Sequence, residues 1–222
     1  MPNPGRPLLI FDFDGTLANT IEAGIGIFNS IAADYGLQPV TMSEVRELRK
    51  LNTRAMLDHV GLSRLAAVKL GTHVKRILNR QMDQVEMFDG IEETIRNLHR
   101  EGFEMGILSS NSVDNVRTFI KRFGLGDCFA FIEAGVSLFG KSHRLNTVMR
   151  KRNTGTESVA YVGDETRDME AARDSKIKSI AVCWGANARE AMLTEGPDYC
   201  VEEAEELLAA AREFQASLSP VT

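Results

Sequence analysis

Residues 8–13, LLIFDF, constrain this chain more than any other stretch. The run opens on four apolar side chains without alternation, the pattern of a strand covered on both faces inside a parallel sheet. It then ends on Asp12-Phe13-Asp14-Gly15-Thr16, where carboxylates and turn chemistry take over.

Later segments follow the same grammar. Residues 103–108 run into Ser109-Ser110-Asn111, residues 158–162 into Gly163-Asp164-Glu165, and residues 179–182 precede Trp184-Gly185. Residues 129–132 and 199–201 read as further strands. Helical stripes lie between them: Val113, Val116, Ile120 and Phe123; a small-residue face at Met169, Ala171 and Ala172; and a last helix with Ala204, Leu207, Leu208, Ala211 and Phe214 inward. Strands alternating with helices predict a doubly wound α/β core, whose ligands bind beyond the carboxyl ends of the strands, near a change in strand order. The polar clusters all stand at such ends.

Residues 18–86 break the alternation. The stripes Ile21/Ile25/Phe28/Ile31 and Val74/Leu78/Val85, with Ile77 and Met82 alongside, are helical, as are shorter segments at 42–50 and 53–60; Pro39 and Gly61 punctuate them. About 70 residues is too long for a structureless loop. A small helical domain inserted after the first strand is therefore expected, with the chain returning to the core near Phe88-Asp89-Gly90 and the helix of Ile91, Ile95 and Leu98. The predicted division is 1–17 plus 87–222 for the core and 18–86 for the insert.

Of the 222 residues, 43% are hydrophobic and 26% charged, which excludes a wholly disordered, collagenous or low-complexity chain. Asp and Glu number 31 against 26 Lys and Arg, a net charge of −5 that lends no support to nonspecific nucleic-acid binding. Cys128, Cys183 and Cys200 are odd in number and lack CxxC spacing, so buried thiols are expected rather than a disulfide framework or a zinc site. His59, His73, His99 and His143 have no ligand-like spacing. The opening MPNPGRP carries no uninterrupted apolar signal core, and nothing approaches the ~18 apolar residues of a membrane span. A cytoplasmic protein without a membrane partner is expected, with SLSPVT as a frayed tail. Monomer and homodimer both remain open.

Asp12 and Asp14 are two apart where the strand is ending, so both carboxylates can reach one polar pocket; burying either without a partner would be costly. Asp164, Glu165 and Asp168 follow the strand ending at Val162, and Asp168 returns toward the same place from the first helical turn. Helix capping is the rival reading for this group, and for Glu165 the two stand open. Asp12, Asp14 and Asp164 supply hard oxygen ligands suited to Mg²⁺, and carboxylates gathered together repel one another without a cation. Ser109, Ser110 and Asn111 can offer a hydroxyl and backbone N–H groups to phosphate oxygens. Lys141, just ahead of a helix beginning near Ser142, can neutralise a phosphoryl group and an adjoining carboxylate.

Taken jointly, these motifs resemble the haloacid dehalogenase superfamily of hydrolases, close to its phosphoglycolate phosphatase and beta-phosphoglucomutase-like branch, over nearly the whole chain. FDFDGTLANT matches the first motif, which implies Asp12 as nucleophile, Asp14 as general acid/base, Thr16 orienting Asp14, and Gly15 in the phosphate loop. Ser109 matches the phosphate-binding residue of the second, where threonine is common, with Ser110 giving its backbone N–H and Asn111 beside it. Lys141 matches the third motif, and GDETRD the fourth, with Asp164 as metal ligand and Glu165 and Asp168 in support. The implied fold is a Rossmann-like parallel-sheet core with an alpha-helical cap closing over the active site.

The implied activity is Mg²⁺-dependent hydrolysis of a small phosphorylated metabolite through an aspartyl-phosphate, phosphoglycolate phosphatase-like. The rivals are a beta-phosphoglucomutase-like mutase, a nucleotide-directed phosphatase, and a non-enzymatic binding protein. An acid/base at Asp14 disfavours halide displacement. In the insert, Arg46, Arg49, Lys50 and Arg54 form either a solvated helix face or a set of cations for substrate anions. The resemblance singles out Arg49 and Lys50 as facing the cleft. Trp184 is open between packing and substrate recognition.

Overall fold

The structure, a computed structural model, describes residues 6–51, 53–135 and 140–218, apart from the side chains of residues 53, 54, 57 and 64. The Arg54 side chain and the end of the expected frayed tail, residues 219–222, lie outside what is described.

The first apolar run forms β1 (Leu8–Phe11), buried along its whole length. Leu8 and Ile10 enter one apolar cluster, with Leu145, Met149, Tyr161 and Ala172; Leu9 and Phe11 enter another, with Ile95, Phe119, Leu207 and Phe214. Successive strand residues face opposite sides, so this division explains why the run has no polar alternation. Among the described residues five more strands follow: β2 (Glu104–Leu108), β3 (Phe131–Glu133), β4 (Val159–Gly163), β5 (Lys178–Val182) and β6 (Tyr199–Val201). The sheet order is β3-β2-β1-β4-β5-β6, and every pairing is parallel. Leu9 is in register with Met105 on one side and Ala160 on the other. The chain builds outward from β1 to β3 and then returns to the opposite side of β1. The order of strands therefore reverses between β1 and β4, where open α/β sheets leave a crevice.

The insert carries α1 (Thr20–Ile31), α2 (Met42–Leu48), α3 (Thr53–His59) and α4 (Arg64–Leu78), and no strand among its described residues. Thr41 and Glu44 close a capping box at the start of α2, and Ser63 caps α4 through the Ala66 N–H. α1 packs on α4. Ile27 and Ile31 are buried, whereas Ile21, Ile25 and Phe28 of the expected stripe are only half-buried, because a few helices without a sheet cannot cover a whole helix face. Ile27, Leu78, Met82 and Val85 nonetheless join the larger core cluster. The two chain crossings run side by side: Ala18 and Met87 form an antiparallel bridge, the Asn19 N–H donates to the Glu86 carbonyl at 2.8 Å, and the Phe88 N–H donates to the Leu17 carbonyl at 3.3 Å.

The remaining helices are α5 (Ile91–Arg100), α6 (Val113–Arg122), α7 (Lys141–Arg152), α8 (Thr166–Asp174), α9 (Arg189–Leu193) and α10 (Ala204–Ser217). Side chains of α5, α6 and α10 pack on the Leu9/Phe11 face, and those of α7 and α8 on the Leu8/Ile10 face. Among the described residues no helix is long and apolar enough to cross a membrane.

Candidate active site

The crevice at the strand reversal collects the acidic residues. Asp12 prolongs β1, its N–H bonded to the Val162 carbonyl at 2.8 Å, which puts its side chain just beyond the sheet. The carboxylate is buried: Oδ1 accepts the Phe13 N–H at 2.8 Å, and Oδ2 meets Lys141 Nζ at 2.5 Å. Lys141 is the first residue of α7 and is also buried; its amine bonds Asp168 as well as Asp12. Asp168 sits in the first turn of α8, and its Oδ2 accepts the Glu165 N–H at 3.1 Å in a reciprocal cap.

Asp164 occupies the turn from β4 to α8 and is fully buried. Oδ1 accepts the Thr16 hydroxyl at 2.8 Å, and Oδ2 accepts the Ala186 N–H at 2.7 Å. Two glycines make room for it. Gly15 has φ +78°, and a Cβ there would lie 2.1 Å from Asp164 Oδ2; a Cβ at Gly185 would lie 2.3 Å from the Gly15 carbonyl. Gly15 also spends its N–H on the Ala18 carbonyl at 2.9 Å. Its place in this structure is a close pass over Asp164, while the sequence had put it in the phosphate loop.

Thr16 requires a correction. Its hydroxyl serves Asp164, not Asp14, because the turn through Gly15 carries Thr16 back toward β4. Asp14 is bonded instead by Asn111. Asn111 Nδ2 lies 3.0 Å from Asp14 Oδ1 and 3.2 Å from Oδ2. Ser109, buried at the end of β2, accepts the Asn111 N–H on its hydroxyl at 3.0 Å. Ser110 is engaged from the insert: Lys75 of α4 reaches its carbonyl at 2.6 Å and its hydroxyl at 3.2 Å.

The electrostatics follow from the burial. Desolvation, with opposition from Lys141 and support from the charge of Asp168, pushes the Asp12 carboxyl up to about 7. Burial, then the charges of Glu165, Asp168 and Asp12, holds Asp164 well above the ordinary range. Burial alone would lower Lys141, but the charges of Asp12 and Asp168 outweigh it and keep the amine protonated. Asp14 is raised by burial against the pull of the Asn111 hydrogen bond.

Residues 9–182 match the family profile described as haloacid dehalogenase-like hydrolase. The chain belongs to that family. It is 34% identical over 202 residues to a phosphoglycolate phosphatase of Synechococcus elongatus, covering 91% of this chain and 95% of the relative. It is 26% identical over 219 residues to the pyrophosphatase PpaX of Listeria monocytogenes, covering 92% and 96%. Among solved structures, a haloacid dehalogenase-like hydrolase from Streptococcus pneumoniae superposes with a TM-score of 0.75 at 19% identity, over 93% of this chain and 98% of that one. The Rossmann-like parallel sheet with its helical insert is the fold of this hydrolase family, and the carboxylates at the strand reversal fit an Asp-based chemistry of phosphoryl transfer.

A divalent cation fits this haloacid dehalogenase-type site. Oxygens of Asp12, Asp164 and Asp168 all lie within 4.8 Å of one another. One amine, that of Lys141, faces the three buried carboxyls, and burial together with their mutual repulsion raises Asp12 and Asp164, a charge excess that a bound cation relieves. Each of the three carboxylates already accepts a donor on both oxygens, so a cation would bind through their remaining lone pairs.

The basic residues of the insert divide. Arg49 Nη2 donates to the Cys183 carbonyl at 2.6 Å, so Arg49 docks the insert on the loop after β5. Lys50, two residues past the end of α2, pairs with Glu47 at 2.8 Å, with both side chains exposed to solvent. Among the described insert cations Lys75 reaches the crevice, which the sequence reading missed: it lies beside the Val74/Leu78 stripe with nothing in its neighbours to mark it. Asn187 was missed as well. Its N–H donates to the Asp164 carbonyl at 3.0 Å, its Oδ1 accepts the Thr166 N–H at 3.0 Å, and its Nδ2 reaches the Leu51 carbonyl of the insert at 3.0 Å. Trp184 packs near Phe88 with centroids 6.3 Å apart and donates to the Thr16 carbonyl at 3.1 Å, a packing role. Glu165 pairs with Arg167 and caps α8.

Proposed function

We propose that this hydrolase is a Mg²⁺-dependent phosphatase that cleaves a small phosphorylated metabolite through an aspartyl-phosphate on Asp12, with 1–17 and 87–222 as catalytic core and 18–86 as the cap over it. The observation that carries the reading is the buried Asp12 carboxylate at the sheet reversal, held by Lys141 with Asp164 alongside.

Asp12 and Asp164, with the Asp14 carbonyl, would hold the Mg²⁺, which when bound offsets the charge of the phosphoryl group. Asp12 attacks phosphorus as the bond to the leaving oxygen breaks, and that oxygen takes its proton from the Asp14 carboxyl. In the second half, water attacks the aspartyl-phosphate, its proton passes to Asp14, and Asp12 leaves as a carboxylate. Lys141 and Ser109 bear on the equatorial oxygens, where the spread charge of the transition state is steadied by preorganised donors. Similarity over 95% of a phosphoglycolate phosphatase's length supports a small carboxylated alkyl phosphate as substrate. Lys75 at the phosphate end of the cap supports the same choice, since it adds a cation beyond Lys141. The free thiols Cys128, Cys183 and Cys200 accord with a cytoplasmic place of action.

The test is a panel of phosphate esters with the purified protein and Mg²⁺, scoring released phosphate, beside Asp12→Asn and an EDTA control. Phosphate release by wild type, lost in the variant and on chelation, is expected. Turnover by Asp12→Asn, verified as not deamidated, sinks the nucleophile assignment. Isomer formation from glucose 1-phosphate without phosphate release would turn the reading to a mutase.

A further inference from the structure

Asn111 was read from the sequence as a phosphate contact, but its polar atoms are all spent elsewhere. The residue is 0% exposed. Its N–H goes to Ser109 Oγ at 3.0 Å, and its carbonyl accepts the Gly135 N–H at 2.6 Å. On the side chain, Oδ1 accepts the Ser112 N–H at 2.8 Å and Asn115 Nδ2 at 3.0 Å. Two donors on one oxygen settle which end of the amide is which, so the NH₂ must face the other way. There it meets both oxygens of Asp14, at 3.0 and 3.2 Å. An amide locked by two donors behind it has one orientation, and it imposes one on the carboxyl in front of it.

We propose that Asn111 is a positioning residue for Asp14, aiming that carboxyl at the leaving oxygen, and that Asn115 acts one step behind it by fixing the Asn111 amide. This rests on the phosphatase reading above, in which Asp14 protonates the departing alkoxide. The consequence is specific. An alkyl phosphate needs that proton, because an alkoxide is a poor leaving group; p-nitrophenyl phosphate does not, because its phenolate leaves unaided. A phosphate-binding residue would serve both esters alike.

The test compares kcat/KM, which reports events through departure of the alcohol, on p-nitrophenyl phosphate and on the fastest of phosphoglycolate, glycerol 3-phosphate and glucose 6-phosphate. Asn111→Leu is expected to lose roughly 100-fold on the alkyl ester and less than about fivefold on the aryl one, within the range that general acids contribute. Asn115→Ala, at a half-buried position that tolerates truncation better, is expected to show the same asymmetry at about tenfold, and it decides the matter if Asn111→Leu lacks native circular dichroism. In an Asp14→Asn background, Asn111→Leu should add no further loss on the alkyl ester. Equal losses on the two esters, or additive losses in the double variant, overturn the positioning role while leaving the phosphatase reading intact. Wild-type protein that hydrolyses none of the four esters overturns the phosphatase reading and this inference with it.

Discussion

The Thr16 hydroxyl donates to Asp164 Oδ1 at 2.8 Å, tying the turn after β1 to the turn after β4 across 148 residues of chain. Both groups are buried. Thr16→Val keeps the shape and removes the donor, which should cost about 1–3 kcal/mol in urea unfolding. Because the bond orients a carboxylate proposed to hold Mg²⁺, affinity for the ion should also fall about 10- to 100-fold by titration calorimetry. Thr16→Ser should retain both properties. A valine variant with wild-type Mg²⁺ affinity would show that the bond does not orient Asp164.

The buried carboxyl of Asp12 makes the metal-free protein pH-sensitive. Its folded value of about 7 lies above the ordinary 3.8. Between those values the folded chain keeps a proton that the unfolded chain has released, so stability must fall as pH rises through that window. Thermal unfolding in EDTA should therefore give a midpoint that drops between about pH 4 and 7. Asp12→Asn should flatten the slope, and Mg²⁺ should raise the midpoint most at the alkaline end, where the carboxyl is ionised. A metal-free midpoint that climbs over this range contradicts the assignment.

Lys75 ties the insert to the crevice through Ser110. Burial lowers its pKa, against the pull of Asp14 and Asp12, and its amine holds Ser110. Lys75→Met should raise KM for an anionic ester about tenfold, the value of one charged hydrogen bond, with kcat changed far less. Hydrogen exchange along α4 should quicken in the variant, reporting looser docking. A lowered kcat at unchanged KM would place Lys75 in the chemistry instead.

Phe119 is the core test. Its ring meets Phe13 edge-on with centroids 5.0 Å apart and is 1% exposed. Phe119→Ala should destabilise the protein by about 3–5 kcal/mol in urea unfolding. It should also disturb the loop carrying Asp12 and Asp14, since Phe13 lies between them, so activity should fall before the fold is lost. Full activity at native stability would show that the α6 contact does not support this loop.

Much of the fold was legible along the chain, because strand burial and helix periodicity are local properties. Residues 8–11, 104–108 and 159–163 became interior strands where mainly apolar runs stood, and the long strandless segment became α1 to α4. The strand ends were equally legible, since each run stops on polar residues. Side-chain partners were read less well. Lys50 and Lys75 are both insert lysines, yet one pairs with Glu47 and the other with Ser110 of the core. Asn187 had no signal at all: its three bonds join α8, Asp164 and the insert, elements that meet only after packing.

By itself the sequence determined the alternation of elements, the place of the insert and the acidic residues at the strand ends, because those depend on spacing and on the cost of burying charge. Tertiary structure decided which of them touch. Thr16 went to Asp164, and Asn111 went to Asp14 across 97 residues. A hydrogen bond depends on a few tenths of an ångström and on the angle at which two loops pass. Those angles come from the order and packing of β1, β2 and β4, not from any neighbour in the chain.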